Sequence, residues 1–97
     1  MQKVILPDSI HLAGNRVLLK IDDEILEEGN LGCFYGTKNL IKFHSGAGTN
    51  IILHEFIEAI LGYYKSTHFE HDNICLLAGG LSDILDQIGI ELVLKCQ

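Results

Sequence analysis

The sequence predicts an α+β domain: a small antiparallel β-sheet, built as a hairpin and meander, followed by a two-helix hairpin. Three observations carry this. Residues 1–45 hold short runs of branched and aromatic side chains separated by Gly and Asn. Residues 50–64 and 71–88 carry apolar side chains at helical spacing. Residues 90–95 alternate again and predict a closing strand.

The elements follow in order. Val4 to Leu6 is a short apolar run stopped by Pro7. Residues 9–13 and 16–22 flank Gly14-Asn15, a two-residue hairpin signal, so they are expected to pair. Asp22-Asp23-Glu24 and Glu27-Glu28 bracket Ile25-Leu26. They lack the alternating ligands and central Gly of a calcium loop and read as a solvated connection. Residues 33–36 and 40–44 read as two further strands. Ser45-Gly46-Ala47-Gly48 is a connector, because no Lys-Ser/Thr follows its glycines to make a phosphate loop. Thr49 or Asn50 is expected to cap the first helix, to about Tyr64. The second helix spans roughly His71 to Ile88. Its apolar residues are Ile74, Leu77, Ala78, Leu81, Ile84, Leu85 and Ile88. Gly79-Gly80 falls mid-helix, where each glycine costs about 1 kcal/mol against Ala. Close approach of the first helix is the expected compensation. Gly89 is the expected C-cap.

Ninety-seven residues make one domain, residues 1–97. A hydrophobic content of 47% excludes a disordered chain. The net charge of −6 argues against a nucleic-acid partner, which needs a basic face. No apolar run reaches the roughly 20 residues of a membrane span. Met1 to Leu6 has neither a long apolar core nor a cleavage site, so no signal peptide is expected and the placement is cytoplasmic. Cys33, Cys75 and Cys96 are odd in number and lack CxxC spacing. They read as buried free thiols of a reducing compartment rather than a metal site.

The chemistry gathers in Leu53-His54-Glu55-Phe56-Ile57-Glu58. On a helix, His54 and Glu58 stack on one face, with Glu55 about 100° away. The apolar Leu53, Phe56, Ile57, Ile60, Leu61 and Tyr64 are expected on the opposite side. His54 and Glu58 suit one metal ion, and zinc chemistry needs a third protein ligand. The ligands available beyond the helix bend are His71, at the head of the second helix, and His68, on the loop before it. His71 is preferred, because packing holds it. Glu55 is too close to His54 to share the ion and suits a general base that takes a proton from water. His11 and His44 read as ordinary strand residues. The plain alternative is a solvated helix face with no metal.

His54-Glu55-x-x-Glu58 followed by a helix-borne His resembles the zincin metallopeptidases. In particular it resembles the very small zincin-like proteins carried by bacteriophages and prophages. The resemblance runs from about Ile10 to Leu85 and includes the hairpin, the strand ending near His44, and Phe69-Glu70-His71. It implies a zincin-like fold holding one zinc ion by His54, Glu58 and His71, with Glu55 as base. It also implies a hydrolase acting on peptide or protein. Strand 40–44 would be the sheet edge beside the cleft. Glu58 stands where the usual motif has a second His, and a carboxylate ligand makes zinc a weaker acid. The alternatives are a catalytically inactive zincin-like module that binds a protein partner, and a metal that only clips the two helices together.

Overall fold

The computed structural model describes residues 1–65 and 70–95. It is α+β, with strands β1 (Gln2–Ile5), β2 (Ser9–Leu12), β3 (Asn15–Ile21), β4 (Gly32–Tyr35) and β5 (Leu40–Phe43) preceding two helices. Helix α1 is Thr49–Tyr63, α2 is His71–Gln87, and strand β6 (Ile90–Val93) follows. Neither helix is long and apolar enough to cross a membrane.

The hairpin forms, but its turn falls one residue earlier than the expected Gly14-Asn15, because Asn15 pairs with Leu12 and Val17 with Ile10. Ala13 and Gly14 turn it, both at positive φ, which glycine adopts without strain. The sheet departs from the all-antiparallel expectation. Its order is β2-β3-β5-β4, and β3 pairs with β5 in parallel, Leu18 opposite Leu40 and Ile21 opposite Phe43. The cause is the acidic connection, which is a 3-10 helix at Asp23–Glu28. It carries the chain past the neighbouring slot, so β4 forms the outer edge and β5 returns between β4 and β3. Asp22 caps that helix by accepting from the Glu24 N–H at 3.0 Å and meets Lys42 Nζ at 2.8 Å. Asp23 accepts from the Ser45 N–H at 2.7 Å. These carboxylates are thus spent on holding the connection in place. A separate ribbon pairs β1 with β6, also in parallel, Gln2 opposite Ile90.

The core joins Leu6, Val17, Ile41, Phe43, Ala47, Ile52 and Ala59, with Phe56, Leu92 and Leu94 packed against it. Val17 and Ile41 face α1 from the sheet's inner strands, and Phe43 meets Phe56 edge-on at 6.4 Å between ring centroids. Helix α1 opens at Gly48 with no side-chain cap. The Thr49 hydroxyl instead accepts from the Leu92 N–H at 3.1 Å, which ties the start of the helix to β6.

Helix α2 buries less than its pattern promises. Ile74 and Ala78 are buried, whereas Leu77, Leu81, Ile84 and Ile88 are 43–63% exposed. The compensation expected at Gly79 and Gly80 is absent, since a Cβ at either would meet nothing within 4 Å among the described residues. Both glycines therefore retain their full helix penalty. Gly80→Ala should raise stability by about 0.5–1 kcal/mol, or a few degrees in Tm. Thermal melting of the variant checks this, and an unchanged or lower Tm would contradict it.

Candidate metal centre

The burial of α1 decides what each motif residue does. Its most buried residues are Ile52, Glu55 and Ala59. These lie three and four apart and form the stripe turned to the core. Glu55 therefore shares the inward face, and the sequence-based separation of a polar strip from an apolar side does not hold. His54 and Glu58 flank that stripe, half-buried, on the side facing α2.

The start of α2 returns to this flank. Glu58 Oε1 lies 3.4 Å from His54 Nε2 and 3.6 Å from His71 Nδ1. The His54 and His71 rings meet edge-on with centroids 4.9 Å apart. Glu58 Oε1 thus lies near both imidazoles, but His54, Glu58 and His71 do not bring one donor atom each within 4.8 Å of one another. His68 lies outside the described residues. His11 is an exposed residue of β2. His44 follows β5, and its Nδ1 accepts from the Gly46 N–H at 2.9 Å.

Glu55 sits behind this cluster, 5% exposed. The alternation of the β4–β5 ladder explains what holds it. The His44 N–H donates to Leu31 O at 2.9 Å, so Leu31, Cys33 and Tyr35 direct their peptide groups at β5. Gly32 and Phe34 then face outward from the sheet edge. The Phe34 N–H favours the ionised Glu55 carboxyl, while among the described residues the buried Glu55 Oε1 has no hydrogen-bond partner. Desolvation, followed by the neighbouring Glu58 charge, pushes the Glu55 pKa up from 4.5 to about 7. Gly32 is the residue that lets this happen. A Cβ there would stand 2.7 Å from Glu55 Cγ, closer than carbon atoms approach without displacement.

The cluster opens into a cleft of about 440 Å³. Gly29 to Phe34 form one wall and α1 and the head of α2 the other. The edge strand beside it is β4, not residues 40–44. β5 lies inside the sheet because the 3-10 connection sends β4 to the rim.

One participant was missed from sequence. Cys75 is exposed rather than buried, with Sγ 3.5 Å from His71 Nε2 and 3.8 Å from His54 Nδ1. Its spacing of four from His71 on one helix was the available signal, since i and i+4 share a face. Among the described residues, two three-residue sets have donor atoms within 4.8 Å of one another: His54, Glu55 and Glu58, and His54, His71 and Cys75.

No family model, curated protein or solved structure matches the chain. The chemistry of the site thus rests on its own geometry. The imidazole and carboxylates of His54, Glu55 and Glu58 on α1 could hold a divalent ion, so Glu55 is not too close to His54 to share one. The buried, partnerless Glu55 oxygen fits a site whose polar complement comes from a bound group.

Proposed function

We propose that the protein is a single-metal hydrolase of zincin type, acting on peptide bonds. The observation that carries it is the meeting of His54 and His71 from separate helices on Glu58 Oε1, with Glu55 buried alongside. His54, Glu58 and His71 would hold one zinc ion. Zinc so held would supply Lewis acidity and lower the pKa of water.

The remaining work belongs to the protein. Glu55 is the proton acceptor, because its pKa of about 7 lies near a neutral working pH and its carboxyl faces the cleft. The Phe34 N–H favours the ionised form of that carboxyl. The rim strand β4 offers the outward peptide groups of Gly32 to an extended substrate, in the manner of an added strand. This reading places the protein with the minimal zincin-like peptidases, including those of phages and prophages, in a host-cell cytoplasm.

The test is elemental analysis of protein purified without a metal-chelating resin, followed by peptide hydrolysis. One equivalent of zinc and chelator-sensitive hydrolysis are expected. Glu55→Gln should retain the zinc and lose about 10²–10⁴-fold in rate, the usual share of a general base. Full zinc with no hydrolysis of any unstructured protein substrate would leave the reading that the metal clips α1 to α2. Absence of zinc would overturn both.

A further inference from the structure

The two imidazoles are arranged to serve two different partners at once. His54 turns Nε2 toward Glu58 and Nδ1 toward Cys75. His71 turns Nδ1 toward Glu58 and Nε2 toward Cys75. Each ring therefore shows one nitrogen to a carboxylate and the other to a thiol. A neutral imidazole has one lone pair free for a metal and one N–H to donate. It cannot give both nitrogens to two ions without losing its last proton.

We propose that His54 Nδ1, His71 Nε2 and Cys75 Sγ form a second, thiol-bearing metal position, alternative to the carboxylate position, and that thiophilic ions select it. Distances support the assignment. Around a tetrahedral ion about 2.3 Å from sulfur and about 2.0 Å from nitrogen, adjacent donors stand roughly 3.5 Å apart. The two sulfur–nitrogen separations, 3.5 and 3.8 Å, match that edge.

The far side of the rings supplies a second, independent support. A ligating imidazole is ordinarily oriented by donating its other N–H to a carboxylate. Glu58 Oε1 stands at that place for both rings, 3.4 and 3.6 Å away. With an ion on the thiol side, Glu58 changes from ligand to orienting acceptor. Binding there releases the Cys75 proton to solvent and leaves a thiolate on the ion. A thiolate donor favours cadmium and copper(I) over harder ions such as magnesium, calcium and manganese. The fork thus sorts ions by softness with no movement of the helices. It does not depend on hydrolysis, and it stands if the carboxylate position binds nothing.

Cobalt(II) and cadmium titrations of the metal-free protein under reducing conditions test it, read by sulfur-to-metal charge-transfer absorption. One equivalent of either ion should develop the band. Cys75→Ser should abolish it and weaken cadmium at least tenfold, while Cys33→Ser, which removes the other thiol lining the cleft, should keep it. Glu58→Gln should keep it as well, because Glu58 is not a ligand of this position. Cobalt bound to the unaltered protein without the band, a band that survives Cys75→Ser, or its loss in Glu58→Gln would each overturn the proposal. Cobalt still bound by Cys75→Ser, now without the band, would support two separate positions. Loss of all cobalt binding in Cys75→Ser would leave the thiol position and remove the carboxylate one.

Discussion

Zinc should stabilise the protein strongly, and His54→Ala should erase that gain completely. An ion that binds only the folded chain, at a free concentration of 100 to 1,000 times its Kd, adds about 3–4 kcal/mol. For a domain of this size each 1 kcal/mol raises Tm by roughly 4–8 °C. His54, like His71, lies near both Glu58 and Cys75, so its loss would remove a ligand common to both proposed metal positions. Its side chain is 13% exposed, so truncation also costs some packing. That cost is separated by comparing the two metal-free proteins first and the zinc-induced shifts second. Calorimetry with and without zinc reads both. A zinc-induced rise in Tm that persists in His54→Ala would show that the ion binds elsewhere.

Glu55→Gln should make the metal-free protein more stable at pH 8 and leave it nearly unchanged at pH 4.5. The folded chain raises the Glu55 pKa to about 7 from an unfolded 4.5, so folding favours the protonated carboxyl. Stability from this group is intact below about 4.5, declines as pH rises from there through about 7, and is fully lost above. The interval corresponds to roughly 3 kcal/mol at about 1.4 kcal/mol per pKa unit. Glutamine mimics the protonated state at every pH. Its oxygen accepts from the Phe34 N–H, and its amide donates toward Glu58. Denaturant titrations of both proteins in chelator, at pH 4.5 and 8, check the difference. A gap that does not widen with pH would mean that Glu55 is better solvated than its 5% exposure implies. The same substitution proposed to remove turnover is thus expected to harden the fold, since an ionisable carboxyl in an apolar stripe is a burden on stability.

What the sequence disclosed, it disclosed through local physics. The hairpin at 9–13 and 16–22 follows from Gly14 and branched alternation, and both helices follow from their 3.6-residue spacing. The approach of His71 to Glu58 follows from two helices separated by only seven residues, 64–70. What escaped depended on non-local placement. Nothing in residues 23–28 announces that the chain will skip a slot and put β4 on the rim. Glu55 was expected beside a polar strip, because helical-wheel reasoning cannot tell which side the sheet will cover. Gly32, 23 residues earlier in the sequence, is what admits Glu55 to the interior. Cys75 was overlooked because cysteine spacing was sought among cysteines rather than against histidines. Gly79 and Gly80 were credited with a tight contact that the geometry does not contain.

The β1–β6 ribbon sets the order in which the molecule can assemble. It joins opposite ends of the chain, Gln2 beside Ile90 and Ile5 beside Val93, and all four β1 residues are exposed. Closing so long a loop for so little burial is entropically unfavourable until the rest has collapsed. Hairpin and helices therefore form first and the ribbon zips last. On the return journey it is the first ladder to open, so amide hydrogens of Gln2 to Ile5 should exchange well before those of β3 and β5.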